Sequence, residues 1–420
     1  MRLMFSSLRM SRRSVFWAGQ SLSIVCDQAW AFLWALVFLQ VLHVSEDLFG
    51  LANSAEYAVL AVVPLFLAPF FAGRQLIAVL SWLDLARALL TVTVAAALLF
   101  QWINVLWALS ALLLMSSLAG LFHNAFYAVL PDIAGRSDVL TRDNARLSTL
   151  ISTGGVVMPV IAASLATAVA PGMVLLVIAM AYLLSFLTLR AVNHDDPRQC
   201  EGAGPAQKSS YRTQLAHGFR VVLTDRLVAS ATALSATFNV VEGMAATIMP
   251  ILILKVWGLS SGLFAVFTSS AAVGGILGGI VAGSMTNRLG IVRSLHLSTA
   301  AAGLLFTVMG WVAAQGASAF GVLICLEALV MVVAVIFNVA NGTLRQVVVP
   351  GDVLAQTFST VRVVAALGSA VGAAAGGALA SIGSGWIGLM CGGIAAGMAA
   401  LLARRVLQLD RRVESGALKV

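Results

Sequence analysis

Three acidic side chains, Asp27, Glu242 and Glu327, lie inside long apolar segments of the sequence. An ionised carboxylate at the centre of a bilayer costs at least about 2.5 kcal/mol, so such groups face a cavity, a partner side chain or a path for protons. Their positions therefore favour a protein that moves a solute or protons across a membrane.

Polar or bulky side chains recur around each of these acids at helical spacing. The three sets are Gln20, Ser23, Asp27, Trp30 and Trp34; Thr232, Ser235, Asn239 and Glu242; and Glu327, Met331, Ala334, Asn338 and Asn341. Because residues three or four apart lie on one face of an α-helix, each set predicts a single stripe. A polar stripe is costly against lipid, so we expect each one to face the interior of a helix bundle.

Asp27 is the first candidate for a coupling residue, which would carry a proton or recognise a cation. A carboxyl group that is neutral when buried and ionised when water enters can link proton flow to a conformational change. The alternative is a structural role, with Asp27 bonded to Gln20 or to a neighbouring helix. Glu242 and Asn239 are the next candidates for contacts with substrate or protons, and a structural role is open for both.

The remaining binding candidates share the stripes of these acids. Glu327, with Asn338 on the same stripe, lies nearer the outer face, where water would lower the cost of its charge. Trp30 and Trp34 share the helix face of Asp27. Tryptophans in membrane proteins more often pack or anchor the interface, but this pair could also stack on an apolar or cationic ligand.

Asp84 and Arg87 form a second kind of candidate, inside the third apolar segment. Their spacing of three residues lets the two side chains pair on one helix face. We therefore expect a structural or gating ion pair at this position.

The composition is that of a membrane protein. Of the 420 residues, 60% are hydrophobic and 10% are charged, whereas soluble domains contain about 25% charged residues. About twelve apolar segments are long enough to cross a bilayer as helices. The predicted spans are 15–41, 53–73, 76–100, 102–129, 145–170, 172–190, 227–254, 261–284, 292–313, 319–343, 357–380 and 385–403.

A polar stretch in the middle of the chain predicts two halves. Residues 191–226 contain clustered charges, glycines and prolines that disfavour regular structure. We therefore predict an N-terminal six-helix bundle at 1–190, a cytoplasmic linker at 191–226, and a C-terminal six-helix bundle with a short cytoplasmic tail at 227–420. The stretches around Pro131 and Pro350 occupy corresponding places in the two halves, which indicates an internal repeat.

The basic residues are distributed unevenly between the two predicted sides of the membrane. Almost all of the 25 Lys and Arg residues fall in segments on one side, and only Lys255 falls on the other. Since an excess of Lys and Arg marks the cytoplasmic side, both termini are expected in the cytoplasm.

Two rows of glycines recur at every fourth residue, one at Gly368, Gly372 and Gly376 and the other at Gly275, Gly279 and Gly283. Small residues at this spacing allow two membrane helices to approach closely. We expect both rows to serve helix packing, with a sliding surface during conformational change as the alternative.

Signatures of common enzymes are absent from the sequence. It contains no phosphate-binding G-x-x-x-x-G-K-[ST] loop, no H-E-x-x-H and no G-x-S-x-G. His123 has no matching cluster of metal ligands along the chain, and we expect it to cap or pack. The sequence therefore predicts a protein that is not an enzyme and has no cofactor and no metal site.

Several stretches resemble the major facilitator superfamily, over nearly the whole chain. They include Ser81–Leu90 (SWLDLARALL), Ala128–Asp132 (AVLPD) and Gln346–Pro350 (QVVVP). Gly283–Gly290 (GSMTNRLG) is similar to the superfamily's loop motif, with Asn287 in place of its acid. Within the superfamily, the chain most resembles bacterial exporters of the enterobactin-exporter and macrolide-efflux type.

This resemblance implies a fold, a mechanism and further site residues. The fold would be an all-α membrane protein of twelve transmembrane helices in two six-helix bundles. The polar stripes then lie on the first, seventh and tenth helices, which border a central site in the nested repeats of such transporters. Gly283 and Arg288 of the loop motif, together with Asp84 and Arg87, become candidates for gating.

The expected function is the export of an amphiphilic small molecule, such as a drug, a siderophore or another natural product. The resemblance implies alternating access driven by protons. It also implies a monomer in the bacterial inner membrane that contacts lipid and binds no nucleic acid. One alternative is an importer of a small solute on the same fold, which would usually show more polar residues in its cavity. The other is a membrane partner or sensor that does not transport.

Overall fold

A computed structural model describes residues 12–67, 75–134, 137–168, 170–194 and 211–408 of the chain, and these residues are almost entirely helical. Backbone N–H and C=O groups have no partner in lipid, so an apolar segment satisfies them internally by forming a helix. The described helices are α1 (Arg12–Leu36), α2 (Glu46–Leu67), α3 (Leu76–Leu99), α4 (Val105–Ala134), α5 (Ser137–Ala168), α6 (Pro171–His194), α7 (Tyr211–Thr224), α8 (Arg226–Pro250), α9 (Ser261–Leu289), α10 (Ile291–Ala313), α11 (Phe320–Val348), α12 (Gly351–Ser381) and α13 (Gly385–Gln408).

Short irregular helical segments extend two of the long helices. Val37–Val41 continues α1 and Ile251–Val256 continues α8, each as a π-helical turn, and a 3₁₀ turn at Ala317–Ala319 precedes α11. Within the described residues, eleven helices are long and apolar enough to cross a membrane. The second predicted span, 53–73, overlaps α2, and its last part (68–73) lies outside the described residues. The prediction of an all-α membrane protein is confirmed.

The described residues group into two compact units, the first drawn from 1–34 and 62–208 and the second from 35–61 and 209–420. Residues 35–61 precede the predicted linker, yet they pack with helices that follow it. Of that linker, residues 195–210 lie outside the described residues, and α7 occupies most of the rest. Where the functional halves divide remains a prediction.

In the first unit, α1 and α3 both pack closely against α6. A Cβ on Gly19 would lie 3.2 Å from the Cα of Ser185. A Cβ on Gly172 would lie 2.8 Å from the carbonyl oxygen of Ala95. These close approaches let short polar side chains on the three helices reach one another. Near one end of the unit, Phe16 and Trp17 pack with Phe126 in a buried aromatic cluster.

In the second unit, α8 and α12 pack along the first glycine row. A Cβ on Gly372 would lie 1.8 Å from the carbonyl oxygen of Val240. Across the same contact, a Cβ on Gly243 would lie 2.2 Å from the carbonyl oxygen of Ser369. Only glycine allows the two backbones to approach this closely, so the packing expected for this row is observed.

The second glycine row behaves differently from our expectation. No described residue lies within 4 Å of a Cβ placed on Gly275, Gly279 or Gly283. The neighbouring Gly274 and Gly278 make the close contacts instead, with α11: a Cβ on Gly274 would lie 2.0 Å from the carbonyl oxygen of Ala328. The expectation was wrong for this row because α9 carries adjacent pairs of glycines, which place a row of glycines on each of two neighbouring helix faces. The face that packs against α11 is the one that contains Gly274 and Gly278.

Residues 35–61 contact the rest of the second unit at a point of close backbone approach. A Cβ on Gly50 would lie 2.6 Å from the Cα of Gly377, which places α2 directly against α12. Nearby, the Asn53 side chain donates a hydrogen bond of 3.2 Å to the hydroxyl of Thr247. The first part of α2 is thus held in place by both α12 and α8.

Candidate functional site

The first unit contains a buried ionic network centred on Arg87. Its Nη1 donates hydrogen bonds to Oδ1 and Oδ2 of Asp27 at 2.8 and 3.0 Å. Its Nη2 contacts Asp84, one helical turn earlier on α3, and donates a 3.1 Å hydrogen bond to the hydroxyl of Ser23. Arg87 therefore bridges an acid on α1 and an acid on its own helix.

Short polar side chains complete the hydrogen bonding of Asp84. The Ser185 hydroxyl donates to Asp84 Oδ2 at 2.6 Å, and the Ser23 hydroxyl donates to Oδ1 at 3.3 Å. Gln20 donates from Nε2 to the Ser185 hydroxyl at 2.7 Å and lies 3.5 Å from Asp84 Oδ2. Gln20 is thus bonded to Asp84 rather than to Asp27, and the partners of Asp27 come from α3 and α6.

Two aromatic rings enclose the guanidinium group. Arg87 Cζ lies 3.8 Å from the ring centroid of Phe122 and 4.6 Å from that of Tyr182. The Tyr182 hydroxyl also donates a 2.5 Å hydrogen bond to Asp27 Oδ1. Cations are attracted to aromatic faces, most strongly where water is excluded. The rings therefore hold Arg87 in one position between its two acids.

The charges in this network do not balance. Asp27 and Asp84 face a single cation, Arg87, so with both acids ionised the network carries one excess negative charge. Asp84 and Arg87 have no exposed side-chain area, whereas 14% of the Asp27 side chain is exposed. The excess charge is therefore accessible only at Asp27.

Two polar atoms of the network have no hydrogen-bond partner among the described residues, namely Oε1 of Gln20 and Nε of Arg87. Buried polar groups are nearly always paired with protein atoms or with ordered water. Both acids of the network, by contrast, have several hydrogen-bond partners within the protein.

Trp30 and Trp34 lie on α1, one and two turns beyond Asp27. Their rings pack edge to face with centroids 5.1 Å apart. The two residues are only 7% and 5% exposed. The rings therefore form a compact apolar pair beside the partly exposed carboxylate, and Trp30 Nε1 has no hydrogen-bond partner among the described residues.

The acids of the C-terminal stripes lie in the second unit. Glu242 lies on α8 and Glu327 lies on α11. Both acids are partly buried. On α8, Asn239 donates a 2.8 Å hydrogen bond to the carbonyl oxygen of Ser235 and accepts a 3.3 Å bond from the Ser369 hydroxyl.

Three further candidates do not join these clusters. Asn338 is exposed, whereas Asn341 on the same predicted stripe is buried. The residues of the predicted α11 stripe therefore do not all face the same surroundings. Arg288 is exposed near the end of α9, and Gly283 lies on the open face of that helix. The gating roles of Arg288 and Gly283 and the binding role of Asn338 stay predictions.

A separate ion pair in the second unit joins the start of α2 to the segment that follows α8. Lys255 Nζ is 2.9 Å from Glu46 Oε1 and donates a 2.8 Å hydrogen bond to the carbonyl oxygen of Val44. The pKa of the adjacent Asp47 carboxyl lies below its ordinary value, chiefly because the Ser45 hydroxyl hydrogen-bonds to it. The one basic residue predicted for the non-cytoplasmic side thus ties the start of α2 to the end of α8.

Tyr182 and Ser185 are the functional candidates that the sequence patterns did not single out by role. Both lie on α6, among apolar residues with no acid or polar stripe. Their importance depends on the packing of α6 against α1 and α3, which periodicity along one helix does not reveal.

Comparison with known proteins identifies the family. The sequence profile described as Major Facilitator Superfamily matches residues 16–349, so the chain belongs to that superfamily. It is a multi-pass membrane protein of a transporter family rather than an enzyme, and the family implies a small-molecule substrate. No match emerges among the curated proteins compared with the chain.

Solved structures with the same fold belong to diverse transporters. A mutant form of the nucleoside transporter NupG has a TM-score of 0.75 and 12% identity, over 94% of this chain and 100% of that chain. A bacterial homologue of the iron transporter ferroportin, in the inward-facing state, has a TM-score of 0.71 and 16% identity, over 94% and 98%. A POT family transporter in complex with a thioalcohol-conjugated peptide has a TM-score of 0.73 and 12% identity, over 94% and 96%. At these identities the likeness shows the fold alone.

Proposed function

We propose that this protein exports an amphiphilic small molecule by alternating access and that protons drive the export. The proposed location is the inner membrane of a bacterium, with both termini in the cytoplasm and the chain acting as a monomer. The proposed division of the chain is 1–190 and 227–420 around a linker at 191–226. The proposed substrates are drugs, siderophores or other natural products.

The arrangement of two acids around one cation, with exposed side-chain area only at Asp27, is the observation that carries this proposal. A proton on Asp27 would neutralise the Asp27–Arg87–Asp84 network, and its loss would restore the charge at the only member with exposed area. Since an unbalanced charge in a poorly solvated site is costly, protonation changes how strongly Arg87 holds α1 to α3. That change is the proposed link between the proton and the conformation.

The second unit supplies the proposed substrate contacts. Glu242 and Asn239 on α8 and Glu327 on α11 are partly buried side chains of apolar helices. In the first unit, Trp30 and Trp34 stay predicted contacts for an apolar part of the substrate, although their packed rings are only 7% and 5% exposed. An amphiphilic molecule needs a large apolar area and a few placed polar groups.

The first experiment identifies a substrate. Cells that lack their own efflux pumps would express the protein and be tested against a panel of amphiphilic antibiotics, cationic dyes and catechol-type siderophore precursors. An exported compound would become less toxic or accumulate less. If the protein instead increased the rate at which the compound moves in the direction of cell entry, measured in vesicles of known orientation with and without the protein, the importer would be favoured.

The coupling is then tested with purified protein in proteoliposomes under an imposed pH gradient. Asp27→Asn keeps the shape of the side chain but cannot ionise, so gradient-driven transport of the identified compound should fall at least about tenfold. Asp47→Asn, at an exposed acid outside the network, is the matched control and should transport normally. Unchanged gradient-driven transport by Asp27→Asn would overturn the proposed role of Asp27.

A further inference from the structure

Helix α7 lies immediately before the membrane-spanning helix α8. Only Asp225 separates them, and its side chain accepts hydrogen bonds from the backbone N–H groups of Leu227 and Val228 at 2.9 and 3.2 Å. This N-cap fixes the start of the span at Arg226. The end of α7 therefore directly adjoins the first turn of a helix long and apolar enough to cross a membrane.

One face of α7 packs against α12. A Cβ on Gly218 would lie 2.6 Å from the carbonyl oxygen of Gln356, which shows how closely the two helices approach. One turn later, Val222 is 7% exposed and belongs to a cluster with Val349 and Val361. This face docks α7 to the second unit and fixes which side of the helix points away.

The adjacent face of α7 is apolar and uncovered among the described residues. Phe219 and Leu223 lie one turn apart on it and are 43% and 78% exposed. Arg220 is exposed beside them, and Arg226 is exposed at the start of the span. Two large apolar side chains bordered by arginines form the pattern of a helix lying in the membrane interface.

The charge of the surrounding sequence indicates the chemistry of the surface. From Gly202 to Thr224 the chain contains Lys208, Arg212 and Arg220 and no Asp or Glu. Each Lys or Arg held near an anionic membrane surface contributes roughly a fivefold gain in binding, equivalent to about 1 kcal/mol. The segment is therefore complementary to a negatively charged layer.

We propose that α7 is an interfacial helix that inserts Phe219 and Leu223 among lipid acyl chains and binds the headgroup of an anionic phospholipid through Arg220 and Arg226. The lipid is the one occupant assigned to this face, because the face directly adjoins the start of a membrane-spanning helix and its bordering arginines complement an anionic headgroup. The assignment is independent of what the protein transports.

Insertion is tested with a fluorescent probe on the full-length protein in lipid vesicles. The four cysteines are first replaced, and an NBD group is attached to Leu223→Cys or, as the matched control, to Thr224→Cys on the polar side of the same turn. Lipids with a nitroxide near the glycerol should quench the probe at position 223 at least about twofold more than at 224. Equal quenching at the two positions, or none at 223, would overturn the insertion.

Headgroup selection is tested by native mass spectrometry of the detergent-solubilised protein with phosphatidylglycerol or phosphatidylcholine. The wild type should retain phosphatidylglycerol about tenfold more than phosphatidylcholine. The double variant Arg220→Gln/Arg226→Gln should lose that preference, whereas Arg293→Gln, at an exposed arginine elsewhere, should keep it.

Three outcomes would overturn the headgroup assignment. The first is an equal retention of the two lipids by the wild type, and the second is an unchanged preference in the double variant. The third is displacement of phosphatidylglycerol by inorganic phosphate, which would make the site a phosphate site rather than a lipid site.

Discussion

At the scale of single residues, Arg87 is the centre of the buried ionic network in the first unit. It is fully buried, it contacts two acids, and two aromatic rings cover its guanidinium group. The pairing of Asp84 and Arg87 was predictable from their spacing. The participation of Asp27 was not, because the three helices that meet here are 60 to 155 residues apart in sequence.

Removal of the central cation should be severely destabilising. Arg87→Gln leaves two buried carboxylates without a counter-charge, and breaking a buried ion pair from one side costs about 3–5 kcal/mol. We expect a large loss of folded protein, measured as the thermal midpoint in detergent. The double variant Arg87→Gln/Asp84→Asn should recover part of that loss, because it removes one of the stranded charges. A double variant no more stable than Arg87→Gln would contradict this account of the network.

The Tyr182 hydroxyl should matter for transport beyond its packing. Tyr182→Phe keeps the ring under Arg87 and removes only the hydrogen bond to Asp27. A hydrogen bond to a charged group contributes about 1.5–3 kcal/mol, so the transport rate and its dependence on pH should both change. Tyr127→Phe, at a residue 50% exposed, is the control and should leave both unchanged. An identical pH profile for Tyr182→Phe would exclude a role in positioning Asp27.

At the scale of helices, the contacts between α8 and α12 depend on the absence of side chains at a few positions. The glycine spacing predicted a packed face for α12 correctly. It failed for α9, where the sequence offers glycines on two adjacent faces and spacing alone does not choose between them. The face of α1 that carries Gln20 and Asp27 was also predictable from the helical spacing of its polar residues alone. The side chains of α6 that bond to this face were not.

Gly372→Ala should therefore be poorly tolerated, and Gly279→Ala should be tolerated well. The added methyl group at 372 would lie 1.8 Å from the Val240 carbonyl oxygen, whereas no described atom lies within 4 Å of the one at 279. Forcing an extra methyl group into a packed contact costs about 1–3 kcal/mol. Comparison of the two thermal midpoints in one detergent tests the prediction. Equal midpoints would mean that α8 and α12 can separate without cost.

At the scale of the whole chain, the division into compact units does not follow the order of the sequence. Residues 35–61 belong with the helices after the linker, through the Gly50–Gly377 approach and the Lys255–Glu46 ion pair. Composition and charge sufficed to predict a multi-pass, all-helical protein. This grouping was not predictable, because it depends on the contact of residues more than 200 positions apart.

The Lys255–Glu46 pair should tune the rate of transport without determining the fold. Both side chains are partly exposed, 30% and 23%, and pairs of this kind contribute at most about 1 kcal/mol. Lys255→Glu should thus change the turnover of an identified substrate by no more than about fivefold, with little change in the thermal midpoint. The charge swap Lys255→Glu/Glu46→Lys should restore most of the wild-type rate. A swap that behaves like the single variant would show that the attraction between the two charges is irrelevant.

The single-residue connection between α7 and α8 links the proposed interfacial helix to the depth of Glu242 in the bilayer. Glu242 lies 16 residues after Arg226 on the same helix α8, which is about 24 Å along its axis at 1.5 Å per residue. With α7 anchored in the headgroup layer as proposed above, that carboxyl stays at a fixed distance from the headgroups beside Arg226. Thinner or thicker membranes should instead move the opposite lipid–water boundary toward or away from Glu242, so acyl-chain length becomes a means of hydrating this acid without changing a single residue.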